Sequence, residues 1–188
     1  MNKRRLLLFT AILALLITSC GTTTSSKDTS QNSSEGESSS KSNQSNNNPV
    51  AEMNIGDTAT SEDWSITLTN SYTSDILESS ESDMYFDAND GVAFCVLEFD
   101  VTCLNSTQPT IDDQGITNPV ATVNGNTYKD WTYQYIANGV WSTINHTYLD
   151  ANLPLHIYVY TNIPSANMND KIIVNTKVAG EDKTISIN

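Results

Sequence analysis

Residues 92–104 alternate as only an extended chain can. Ala93, Cys95, Leu97, Phe99, Val101 and Cys103 share one parity, while Glu98, Asp100 and Thr102 share the other. Successive side chains of a strand point to opposite faces, so the odd residues must be buried and the polar end of the even face must be wet. Val92, Phe94 and Val96 make the first half apolar on both sides, which predicts a central or covered part of a sheet. The same placement settles two of the three cysteines. Eight residues of straight strand hold the α carbons of Cys95 and Cys103 about 26 Å apart, whereas a disulfide tolerates at most about 7 Å. Both are expected as small hydrophobes in the core, neither crosslinked nor nucleophilic.

Other stretches carry the same period. Trp64, Ile66, Leu68 and Tyr72 fall on one side of a strand, with Asn70 the one polar residue among them. A short strand precedes the turn Asn54-Ile55-Gly56-Asp57, and Leu155, Ile157 and Val159 alternate with His156, Tyr158 and Tyr160 before Ile163-Pro164 stops them. Asn124-Gly125 lies between strand-forming triplets, the strongest short hairpin signal. A last hairpin joins residues 171–178 and 183–187. Residues 74–91 are acidic and Ser-rich and read as a long exposed loop. Within it, Asp87-Ala88-Asn89-Asp90-Gly91 faintly suggests a calcium loop, but the ligand spacing is not that of an EF-hand and no glutamate closes it, so a solvated charged loop is expected. No stretch sustains a helical period. Seven to nine short strands separated by turns predict an all-β fold, a two-sheet antiparallel β-sandwich with a barrel as runner-up.

Ahead of this domain lies a different kind of sequence. Residues 1–19 begin with Lys3-Arg4-Arg5, continue in an apolar run of about 12 residues from Leu6 to Ile17, and end in small residues before Cys20. The run is well short of the roughly 20 residues that cross a bilayer as a helix, and the order of charge, apolar run and small residues is that of an export signal. Leu16-Ile17-Thr18-Ser19-Cys20-Gly21 is a lipobox, so the chain resembles a bacterial lipoprotein precursor, in which the cysteine thiol receives a diacylglycerol and becomes the new N-terminus. Two acyl chains give stable anchoring where one does not. Residues 20–49 then form the lipidated N-terminus and a tether of Ser, Thr, Asn, Gln and Gly that has no apolar residue to start a core, and so is expected to be disordered. A flexible coil of 29 residues spans roughly 30 Å. Residues 50–188 are the domain, long enough for one core.

Three basic residues and no acids lie in the signal, so six cationic side chains face 22 acidic ones in the remainder, a formal −16. Such a surface repels phosphate backbones, which excludes nucleic acid as a partner. It also disfavours electrostatic docking on anionic lipid, leaving attachment to the acyl group on Cys20.

With these pieces in place, the domain resembles the immunoglobulin-like domain of unknown function common in lipoproteins of Gram-positive bacteria, sometimes labelled telomeric-repeat-binding-factor-like. The residues that carry the likeness are Ile55-Gly56-Asp57, Asp63-Trp64 leading Ser65-Ile66-Thr67-Leu68, Val96 to Thr102 ending at Asn105, the Asn124-Gly125 hairpin reaching Tyr128, and Ile163-Pro164. The resemblance implies an immunoglobulin-like extracellular β-sandwich and supplies no activity and no functional residues. The telomere label is set aside, because an acidic exported domain has the wrong charge for it.

Candidate chemistry is sparse. A serine hydrolase needs a nucleophile, a base and an orienting acid, and the domain offers His146 and His156 as bases without a Gly-x-Ser-x-Gly elbow. Those two histidines, ten residues apart, match neither spacing that favours a shared zinc. No catalytic, metal or cofactor residue is assigned. The surface feature worth testing is Trp131, Tyr133 and Tyr135 on one strand face, with Trp141 beyond, which could form a flat platform for sugar rings or a protein. The competing reading, a core-facing stripe, is favoured because sandwich cores use Trp and Tyr in the same way. The function expected is a monomeric, non-enzymatic domain, lipid-anchored on the extracellular face of the cell membrane, that binds a surface protein or glycan. An enzyme or accessory subunit acting on cell-wall material is the alternative, motivated by location.

Overall fold

The computed structural model describes residues 50–105, 110–145 and 148–188. The export signal, Cys20, the tether and His146 lie outside the described residues. Thirteen strands follow in chain order: β1 (Ala51–Glu52), β2 (Thr58–Thr60), β3 (Trp64–Ser74), β4 (Ile76–Leu77), β5 (Phe86–Asp87), β6 (Val92–Cys103) and β7 (Ile116–Val123), then β8 (Asn126–Tyr128), β9 (Thr132–Ala137), β10 (Val140–Thr143), β11 (Pro154–Pro164), β12 (Ile172–Val178) and β13 (Glu181–Ile187). Thirteen exceeds the seven to nine expected, and five of them have only two or three residues, too short to show a period.

The strands form two large sheets. One runs β1-β13-β12-β7-β8 and the other β10-β9-β11-β6-β3-β2, while β4 and β5 pair alone. Every pair is antiparallel except β1 with β13. β6 sits inside the six-stranded sheet, between β3 and β11. Its odd residues, Ala93 through Cys103, are all fully buried, as the alternation requires. They share a core with Trp64, Ile66 and Leu68 from β3, Ile157 and Val159 from β11, and Ile172, Val174 and Ile185 from the opposite sheet. Cys95 and Cys103 are both buried and free, and burial alone pushes the Cys95 thiol up to about 12.

Two departures from the predicted pattern matter for the outer surface. In β3, Leu68 pairs with Phe99 and Asn70 with Glu98, so Thr69 is an extra residue. This β-bulge flips the parity of everything after it. Tyr72, expected on the core side with Trp64, Ile66 and Leu68, therefore points to the other face of the sheet, where it packs with Phe94, Val96 and Tyr158. The second departure is a hairpin between β9 and β10. Its turn, Asn138-Gly139, has φ of 52° and 78°, and the predicted turn Asn124-Gly125 has φ of 50° and 79°. Both are two-residue turns of the kind whose twist matches paired strands.

Candidate functional site

The outer face of the six-stranded sheet carries the even residues of β6 and β11, and its two halves differ. Toward the start of β6 the face is apolar, with Phe94, Val96, Tyr158 and Trp141 forming a second buried cluster joined by Tyr72, Ile136 and Tyr160. Water would otherwise wet these rings, and residues 75–91 prevent it. This segment, expected to be an exposed loop, instead crosses the sheet as a strap. Leu77 pairs with Phe86 in the β4–β5 ladder, and Leu77 is fully buried on the sheet. Phe86 meets the Trp141 ring at 5.5 Å and Trp141 meets Tyr158 at 4.8 Å, both edge to face. The Trp141 indole N–H donates to the Met84 carbonyl at 2.9 Å, and the Ser82 hydroxyl donates to the Gly139 carbonyl at 2.7 Å. The six carboxylates of the strap, Asp75, Glu78, Glu81, Asp83, Asp87 and Asp90, are exposed, as their charge demands. The sequence signal for the strap is the pair of apolar steps at its ends, Ile76-Leu77 and Tyr85-Phe86.

Toward the end of β6 the same face is ionic. Cross-strand pairing sets His156 opposite Asp100 and Tyr158 opposite Glu98. His156 Nδ1 lies 2.7 Å from Asp100 Oδ1, and Nε2 lies 3.4 Å from Glu98 Oε2. Hydrogen bonding to Glu98, then to Asp100, outweighs the opposing effect of burial and holds the imidazole at about 9. Asp100 makes the shorter contact but is 61% exposed, whereas Glu98 is 16% exposed and less screened by water. Glu98 also takes a hydrogen bond from Tyr72, whose hydroxyl is pushed well above its ordinary range, by burial first and by that carboxylate second.

This arrangement limits the chemistry. At neutral pH His156 carries both ring protons and donates both, so it is a fixed cation and not a general base. The carboxylates occupy opposite nitrogens instead of converging on one point, and among the described residues no group of three or more His, Cys, Asp or Glu side chains is placed to hold a metal ion.

The stripe of Trp131, Tyr133 and Tyr135 lies on the inner face. Tyr133 is 9% exposed and its hydroxyl donates to the Ile116 carbonyl at 2.9 Å. Trp131 and Tyr135 are half-buried against the main core. A stacking platform needs open ring faces, and the core occupies those of Tyr133. Trp141 is separated from the stripe because the β9–β10 register pairs it with Ile136, on the outer side.

With both faces in view, the domain can be set beside known proteins. It is similar to an uncharacterized β-sandwich protein from Clostridium difficile 630, with a TM-score of 0.63 and 14% identity, covering 73% of this chain and 93% of that one. The domain is a β-sandwich. At that identity the likeness shows the fold and nothing finer. No family model matches the chain, and no curated protein matches it.

Proposed function

We propose that the chain is a lipid-anchored extracellular protein whose β-sandwich serves as a non-enzymatic interaction module at the cell surface. The observation that carries this reading is the distribution of its cysteines. Cys95 and Cys103 are packed in the sandwich core, which leaves Cys20, in register behind an export signal, as the thiol available for modification. The polar tether behind Cys20 and the resemblance to the immunoglobulin-like domains of Gram-positive lipoproteins support the same reading. The pairing of His156 with Glu98 and Asp100 supports binding over catalysis, because both ring nitrogens already face carboxylates.

The test is Cys20→Ala in cells. The variant protein is expected to leave the membrane fraction while the thermal unfolding of its domain stays unchanged, because the strands of the sandwich are built from Ala51 onward. A membrane fraction equal to that of the wild type overturns the anchor.

A further inference from the structure

We infer that the cleft where the chain passes from one sheet to the other is a saccharide-binding site. The inference deepens the reading of the domain as an interaction module and rests on it. β8 ends at Tyr128 on the edge of the five-stranded sheet, and Lys129, Asp130 and Trp131 carry the chain across to β9 in the six-stranded sheet. Beside that crossing lies the end of β11. Thr127, Tyr128, Lys129, Asp130, Thr161 and Asn162 line an open cleft of about 470 Å³, within the ~300–1,000 Å³ usual for small-molecule sites. Its wall is fixed before any ligand arrives. Thr161 is buried, and its hydroxyl donates to the backbone carbonyl of Asp130 at 2.8 Å, pinning the crossing segment to β11.

The lining chooses the ligand class by charge and by hydrogen-bonding capacity. In a chain of formal charge −13, this cleft is balanced, with one ammonium and one carboxylate side by side. Lys177 and Lys183 are each tied to a carboxylate of their own hairpin, whereas Lys129 forms no ion pair among the described residues. An anion would meet Asp130 and the acidic body of the domain, and a cation would meet Lys129. An apolar ligand would strip water from both charges and return no hydrogen bond. A neutral molecule dense in hydroxyls satisfies the whole lining. Its hydroxyls donate to the Asp130 carboxylate and the Asn162 carbonyl, and accept from Lys129, the Asn162 amide and Thr127. Tyr128 is half-buried against the main core, and the carbon atoms it leaves in the cleft serve the C–H face of one ring. One or two pyranose units are the class that combines these features in this volume.

The experiment uses the full-length chain in micelles of a non-glycosidic detergent, followed by backbone amide NMR. The probes are N-acetylglucosamine and its β-1,4-linked dimer, with alanine as a zwitterion and inorganic phosphate as an anion. Saturable shifts confined to residues 127–130 and 161–162 are expected with both sugars, at dissociation constants around the millimolar range. Asp130→Ala and Asn162→Ala each weaken sugar binding about tenfold. Both positions are exposed, and unchanged β6 resonances report that the fold is intact. No saturable shift with either sugar overturns the inference, as do variant affinities equal to that of the wild type or a stronger response at these residues to alanine or phosphate. These titrations do not depend on where the protein sits in the cell, so failure here and failure of the Cys20→Ala test are separable.

Discussion

The two faces of the six-stranded sheet are made by the same strands and are covered in different ways. The inner face is roofed by a second sheet in which β12 pairs with β13 over seven residues and with β7 over five, across one bulge, and every inward residue of β6 is fully buried there. The outer face is roofed over half its length by a strap whose own ladder has two residue pairs, Ile76 with Asp87 and Leu77 with Phe86. Its other half is open to water and carries the His156 cluster. Burial by a sheet is cooperative with the whole domain, whereas burial by a strap is held locally and opens at lower free energy.

Three substitutions probe that difference. Phe99→Ala removes a fully buried ring from the inner face and should lower the free energy of urea unfolding by about 3–5 kcal/mol, with all amides losing protection together. A cost below about 1 kcal/mol would mean that the inner face is not the principal core. Leu77→Ala removes the buried anchor of the strap and should cost about 2 kcal/mol, the low end for such a truncation because the strap can settle or lift. Hydrogen exchange should accelerate within residues 75–88 and leave β6 protected; spreading of the effect to β6 would make both faces one cooperative unit. The smallest effect is expected from His156→Gln, on the order of 1 kcal/mol because Asp100 is well exposed. Folding raises the His156 pKa from 6.5 to about 9, so protonation favours the folded state. The stabilisation is complete below about 6.5 and is lost as pH rises through about 9, so wild type and variant should converge there in stability. A difference that does not change between pH 6 and 9.5 would remove the charge cluster from the account.

The inward parity of β6 and the core positions of Cys95 and Cys103 are legible from alternation alone, because nothing but an extended chain buries every second residue. The two-sided apolar start of β6 also correctly announces a covered sheet, although what covers it is hidden. In the strap, serines and acids outnumber Leu77 and Phe86, the large apolar residues that anchor it, and a compositional reading follows the majority. The bulge at Thr69 leaves one polar residue, Asn70, as its whole trace, so the outward turn of Tyr72 is not readable. Asn138-Gly139 carries the same hairpin signal as Asn124-Gly125, yet it lies inside an aromatic run that reads as one stripe. The partnership of His156 with Glu98 and Asp100 depends on the register of β11 against β6, which the intervening 50 residues do not fix by any local rule.

The lone parallel pairing of the fold has a mechanical consequence. β1 is the first strand among the described residues, and it is held to β13 over Ala51 and Glu52, with the Met53 N–H donating to the Thr184 carbonyl. A pull on the chain ahead of Val50 loads this contact before any other strand bears tension. Directed along β1, the load shears its few bonds together, and their rupture pays out about 3.3 Å of chain per residue freed. The next restraint is the bond from the Gly56 N–H to the Leu68 carbonyl, where the chain enters the six-stranded sheet. β1 thus acts as a short sacrificial link, yielding first while the strands that enclose the core keep their register.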